Sequence, residues 1–211
     1  MGRLAVAAFG FLLLVVCVLA ACLLAGPLQA APITVQGITF SDELGDFTVL
    51  KVTGTGTLQD PFVVVEDVTG DQPILIIRGM SYGFGNRIGS QHIIGFAIAK
   101  ICINHTGSSW TQYRMELRTT PTEPSPYGDG LSFAQGFKAG PPAASDGFHN
   151  ARVIDEPFDA IDFTDGQIKP GESVSFDFLI TDMTPKPEVF LLQQPVKPVS
   201  CNCGRLRVAS R

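Results

Sequence analysis

The segment Val174-Ser-Phe-Asp-Phe-Leu-Ile180 sends Val174, Phe176, Phe178 and Ile180 to one side and Ser175 and Asp177 to the other. A period of two belongs to a strand with one buried face. Past the first thirty residues no stretch sustains a period of 3.6. The other runs are of the same kind: Phe47 to Thr53, Phe62 to Val68, Ile74 to Arg78, Ile93 to Asn104, Trp110 to Arg118, Ala160 to Thr164 and Val189 to Gln193. Turn chemistry separates them. Lys169-Pro-Gly-Glu172 suits a type II turn, with Pro fixing φ and Gly supplying the positive φ, and Asn104-His-Thr-Gly107 opens a short loop. Short strands with Gly/Pro punctuation predict an all-β fold, an antiparallel β-sandwich of Ig-like or jelly-roll type.

The N-terminus is of another character. Arg3 is the only charge in the first 30 residues, and Leu4 to Ala25 is an unbroken uncharged run rich in Leu, Val and Ala. Gly26-Pro27 ends it, and Leu28-Gln29-Ala30 offers a small residue before Ala31. This pattern predicts a signal helix over residues 1–30 and a secreted or periplasmic domain. The run is also long enough to span a bilayer, which leaves an uncleaved anchor open. Leu19-Ala-Ala-Cys22 fits a lipobox with Cys22 as the lipidated residue. The sandwich is expected over 31–195 and a flexible tail over 196–211. The tail Cys201 to Arg211 has no apolar run, so anchoring through it is not expected.

Without Arg3 the mature chain carries 14 basic and 20 acidic residues, spread along its length. No basic cluster of nucleic-acid-binding type is present, and contact with a membrane is expected only through the N-terminal segment. Three cysteines follow the leader. Cys102, in an apolar run, reads as a small core residue. Cys201-Asn-Cys203 lacks the further ligands of a closed zinc site, so in an oxidising compartment a disulfide is favoured over a metal. Neither a metal nor a cofactor is expected.

Gly79-Met-Ser81-Tyr-Gly83 spells G-x-S-x-G after an apolar strand. A nucleophile elbow needs a helix after the turn, and Phe84-Gly-Asn-Arg-Ile-Gly89 has no helical face. The preferred reading is a glycine-rich bend with Asn86 and Arg87 at a solvated tip. A serine hydrolase using Ser81, with His92, His105 or His149 as base, is the runner-up. The glycines at 83, 85 and 89 miss the dinucleotide fingerprint by one residue. Asp155, Glu156, Asp159, Asp162 and Asp165 crowd together without the spacing of a calcium loop; they read as a solvated face with Ile161 and Phe163 turned inward. A carboxylate pair for glycoside cleavage is a further alternative.

Trp110 shares parity with Gln112, Arg114 and Glu116, which suggests an exposed aromatic platform; the alternative is a ring folded over the sandwich end. The segment from Thr119 to Asn150 is rich in Pro, Gly and Ser with interleaved aromatics. Function in a β-sandwich usually sits on such loops. Trp110, Tyr127, Asp129 and Phe137 are therefore the expected ligand-binding residues, with at least one of the three aromatics exposed. The plain alternative is that Phe133 and Phe148 pin the loop to the domain.

From about residue 101 to 181 the chain resembles a loose group of bacterial exported β-sandwich proteins, related to surface-anchored exported domains. The residues that carry it are Asn104-His-Thr-Gly-Ser-Ser-Trp110, Glu116-Leu117, Asp165-Gly166 and Pro170-Gly-Glu-Ser173 before Phe176 and Phe178. The resemblance implies an exported, non-catalytic domain and no catalytic residue. The expected function is a non-catalytic binding or structural module, with a glycan or a cell-envelope protein as the partner considered.

Overall fold

The computed structural model describes residues 31–133 and 143–198. The signal helix, Cys22, Phe137, the Cys201–Cys203 pair and the tail from 199 lie outside the described residues. Thirteen strands and no helix are described: β1 (Ile33–Val35), β2 (Ile38–Ser41), β3 (Phe47–Thr53), β4 (Phe62–Val68), β5 (Ile74–Arg78), β6 (Ile94–Asn104), β7 (Gln112–Arg118), β8 (Leu131–Ser132), β9 (Ala144–Ser145), β10 (Phe148–Ile154), β11 (Ala160–Gly166), β12 (Ser173–Asp182) and β13 (Glu188–Val196).

They form two open sheets. One runs β1-β2-β5-β13-β7-β11-β10; the other runs β3-β4-β6-β12-β8, with β9 also on β12. All pairings are antiparallel except β4 with β6. A parallel pair needs a crossover. Here the chain leaves β4, lays β5 into the opposite sheet and returns through residues 79–93 to start β6.

One apolar core joins the sheets. Phe176 of β12 lies 4.7 Å from Tyr113 of β7 and 4.7 Å from Phe163 of β11, and Phe62 of β4 meets Phe40 of β2 edge-on at 5.4 Å. These ring pairs cross between sheets, so the domain is a β-sandwich with its aromatics interdigitated. β12 follows its alternation, with Val174, Phe176, Phe178 and Ile180 buried and Asp177 exposed. Leu179 departs from it. On the outer face it packs with Ile88 and Ala97, because the 79–93 segment folds over that face.

Asn86 organises this segment. Its Nδ2 donates to Ser90 O, Ser90 Oγ and His92 O, and its Oδ1 accepts from the amides of Ile88, Gly89 and Ser90. Arg87 donates to Thr55 O at 2.5 Å and stacks 3.9 Å over the Phe84 ring. The solvated tip expected there is instead a bonded cover. The Lys169–Glu172 turn forms as expected, with Gly171 at φ 84° and a 3.0 Å bond from the Glu172 amide to Lys169 O.

Strand boundaries shift modestly from the expectation. β13 runs one residue past the expected domain end at 195. The segment 119–150 is not a single loop. It contains β8, β9 and the first residues of β10, and Phe133 and Phe148 are both buried, against Phe178 and Phe176. They pin it to the sandwich.

Candidate functional site

At one rim of the sandwich, residues 125–127 run beside 157–159. The Asp159 amide donates to Ser125 O, the Tyr127 amide donates to Pro157 O, and Pro126 faces Phe158 across a bridge. An open groove lies here, lined by Pro126, Tyr127, Glu156 and Pro157. Tyr127 is 53% exposed and Phe158 38%. The fixed φ of Pro126 and Pro157 and the bonds between the two segments restrain the backbone that carries Tyr127 and Phe158. Tyr127 thus meets the expectation of an open aromatic on this segment.

Asp129 supports the groove rather than facing into it. Its carboxylate accepts from Ser125 Oγ and the Leu131 amide, each at 2.9 Å, and lies 3.5 Å from Lys186 Nζ. Asp159 is almost wholly buried, with Oδ2 lacking a hydrogen-bond partner among the described residues. Burial first, and then the charges of Asp129 and Asp155, raise its pKa to about 7. Of the acids expected on a solvated face, Asp165 is exposed and Asp162 half-buried, with Ile161 and Phe163 inward between them. Asp159 is the exception. No cluster of metal-ligating side chains is found among the described residues.

The exposure expected of Trp110 is not found. It is fully buried, 5.3 Å from the Tyr113 ring, with Nε1 donating to Thr106 Oγ1 at 3.0 Å. The strand parity that suggested an outward ring starts only at Gln112. Thr111 is a bend, and Trp110 pairs separately with Ile168. The bend breaks the period of two, so parity cannot be carried back across it. The Asn104-to-Trp110 motif is one bonded unit. Asn104, also buried, donates to Ser108 O and Ile168 O and accepts from the Thr106 amide and hydroxyl.

Ser81 is exposed at the start of a turn closed by the Phe84 amide on Ser81 O, and no helix stands between it and β6. Gly79 has φ 95°, and a Cβ there would sit 2.2 Å from Gly37 O. The motif's first glycine is thus required by the close approach of the β1–β2 turn. His105 bonds Asp67 and His149 bonds Asp165 O. Among the described residues no hydrogen bond joins a histidine to Ser81.

A second polar constellation escaped the sequence reading. Between the sheets lie Glu66 of β4, Lys100 and Cys102 of β6, Tyr113 of β7 and Gln193 of β13, all fully buried. Lys100 Nζ pairs with Glu66 Oε2 and lies 3.1 Å from Cys102 Sγ. Gln193 Nε2 donates to the same Glu66 Oε2 at 3.0 Å, and Tyr113 OH donates to Gln193 Oε1 at 2.8 Å. Glu66 Oε1 has no hydrogen-bond partner among the described residues. Burial favours the neutral amine of Lys100. The Cys102 sulfur and the Glu66 carboxylate oppose it, and the balance lies above the ordinary lysine value. Burial pushes the Cys102 thiol up, in keeping with the core role expected of it, and holds the Tyr113 phenol well above 10. A signal for this cluster was present: Lys100 has the parity of Phe96, Ile98 and Cys102, and Glu66 that of Phe62, Val64 and Val68. A charge on an otherwise apolar face needs a buried partner.

Comparison with protein-family models, curated proteins and solved structures finds no match to this chain.

Proposed function

We propose that the chain is an exported, extracytoplasmic β-sandwich of Ig-like or jelly-roll type that binds without chemistry, and that its contact surface is the Tyr127 groove. The observation that carries this reading is the open Tyr127 ring, which lines the groove with Pro126, Glu156 and Pro157. A rigid tyrosine face offers stacking area at low entropic cost, and a neighbouring carboxylate accepts hydroxyl protons. That pairing suits a glycan of the cell envelope, or a cell-envelope protein presenting an apolar side chain. Export rests on the leader, with cleavage before Ala31, lipid on Cys22 or a retained anchor as its three forms.

Titration of soluble envelope glycans into isotopically labelled protein tests the surface. Amide shifts confined to residues 125–129 and 155–159, and absent in Tyr127→Ala, are expected. Shifts centred on Ser81, or labelling of Ser81 by a fluorophosphonate probe, would replace this reading with the hydrolase. Trp110 fluorescence is a poor reporter here, because the ring is sealed in the core.

A further inference from the structure

The buried constellation holds an amine, a carboxamide, a carboxylate that touches both, and a hydroxyl on the carboxamide oxygen. We propose that Lys100 and Gln193 join in an intramolecular amide, formed by the chain itself, that ties β6 of one sheet to β13 of the other. Glu66 gathers the two partners, and Tyr113 holds the carboxamide. Lys100 Nζ, the nucleophile, and Gln193 Nε2, the leaving nitrogen, both contact Glu66 Oε2. Tyr113 OH donates to Gln193 Oε1, the oxygen on which negative charge develops when the carboxamide carbon is attacked. A donor aimed at that oxygen in a dry site is the usual means of stabilising a tetrahedral intermediate. Fixed strands hold the groups together, so their encounter has no translational cost.

The step balances. A proton passes from the Lys100 ammonium to Glu66, leaving a neutral amine. The Nζ lone pair attacks the Gln193 carboxamide carbon and forms the C–N bond, with charge moving onto Oε1 beside Tyr113. Glu66 returns its proton to Nε2, and the C–Nε2 bond breaks. The leaving group departs as ammonia, and the second Nζ proton ends on Glu66. Ammonium, carboxylate and carboxamide become a secondary amide, a neutral carboxylic acid and ammonia, with no oxidant or reductant. The unpartnered Glu66 Oε1 gives that last proton a place to reside. Two charges buried in an apolar core are thereby removed, which favours the product.

Two other couplings of the same groups are weighed by the test. Glu66 itself is a poor acyl donor, because its ionised carboxylate resists attack and would have to release water. Cys102 could in principle take the acyl group from Gln193 as a thioester. However, its thiol is pushed up by burial, and a thiol rather than a thiolate is a weak nucleophile.

The test is the intact mass of the purified full-length protein, referred to the N-terminus it is found to carry, followed by proteolysis. The expected mass lies one ammonia below the sequence value, with a branched peptide joining the segment around residue 100 to that around residue 193. Lys100→Arg and Glu66→Gln should return the full sequence mass. Cys102→Ala should keep the ammonia loss, and hydroxylamine should not reverse it. The wild-type mass decides the matter even where a variant fails to fold. Wild-type protein at the sequence mass overturns the proposal. So does a loss of one water with a Lys100–Glu66 branch, and so does a hydroxylamine-sensitive loss that vanishes in Cys102→Ala.

Discussion

The interior of the sandwich and its rim both bury ionisable groups, and they do so by opposite means. Inside, Glu66 meets Lys100, with Gln193 and Tyr113 completing the set from the facing sheet. Opposite charges hold each other in place. At the rim, Asp159 is buried near Asp129 and Asp155, which share its sign, and its carboxyl is pushed to about 7. Like charges under burial are relieved by taking up a proton. The interior arrangement is set by regular strands whose period points each group inward. The rim arrangement is set by turns, where residues 125–127 and 157–159 meet. The first is suited to fixing the fold, and the second to responding to what lies outside it.

The strongest way to break the comparison is to remove one interior charge. Lys100→Met leaves Glu66 buried without its partner, and a broken buried pair costs about 3–5 kcal/mol. Chemical denaturation should show this loss. Replacing both, Lys100→Met with Glu66→Leu, should recover most of it, since an apolar pair of similar volume is often neutral. The part not recovered in the double variant contains the covalent tie proposed between the sheets together with the bond that Gln193 Nε2 loses with Glu66. A double variant as unstable as Lys100→Met alone would mean that the pair is not an independent unit.

At the rim the decisive variable is pH. The folded-state pKa of Asp159, about 7, lies above its unfolded value. Between roughly pH 4 and pH 7 the folded chain therefore keeps a proton that the unfolded chain has lost. Stability falls as pH rises through that window, by about 1.4 kcal/mol per unit for this group at most, and levels off above it. Burial raises Asp177 and Asp182 as well, so some slope of the same sign belongs to them. Asp159→Asn should flatten the profile, matching the wild type near pH 4 and exceeding it by roughly 2 kcal/mol or more at pH 8. An unchanged profile in the variant would show that Asp159 stays ionised.

How far these features could be read from the chain depends on their range. β3, β4 and β5 fall on the residues that read as strands: β4 alternates throughout, β3 slips by one at a bulge between Val49 and Lys51, and β5 is a short apolar run with Leu75, Ile76 and Ile77 all buried. β1, β2, β8 and β9 are too short to show a period, and β10 alternates poorly, with His149, Asn150, Arg152 and Val153 all exposed. The Glu66–Lys100 pair spans β4 and β6, and Gln193 comes from the other sheet. Only the parity of single charges pointed to it. The bend at Thr111 reversed the orientation of Trp110, and bends leave little trace in a hydrophobic pattern. Tyr127 was legible because it lies between Pro and Gly in a turn-rich segment, whereas its neighbours Glu156 to Phe158 approach only through tertiary folding.

The Asn104 unit lies between the two extremes, with a side chain that is buried yet bonds only to loop backbone and hydroxyl groups. Asn104→Ala would leave the Thr106 amide without its acceptor and take one bond each from the carbonyls of Ser108 and Ile168, which keep the Thr106 hydroxyl and the Trp110 amide. Unsatisfied buried groups of this kind cost about 1–3 kcal/mol. Asn104→Asp keeps the acceptor and loses both donated bonds, so it should fall between the wild type and the alanine variant. Equal loss in the two variants would place the whole effect on Nδ2. Thermal unfolding followed by Trp110 fluorescence reads both, since that ring is hydrogen-bonded within the unit.

Tyr127→Ala is expected to change stability least and recognition most. The ring is more than half exposed and joins no aromatic pair of the core, so its removal should move stability by no more than about 0.5 kcal/mol. If the groove is a contact surface, the same change removes its largest rigid element, and truncating such an anchor commonly costs about 2 kcal/mol or more of binding, a loss of some thirtyfold in affinity. Tyr127→Phe separates stacking from hydrogen bonding: affinity retained in Phe assigns the contact to the ring face, while affinity lost in Phe assigns it to the hydroxyl. A Tyr127→Ala protein that binds envelope glycans as well as the wild type would remove the rim from function and leave the interior constellation as the only specialised chemistry of the two.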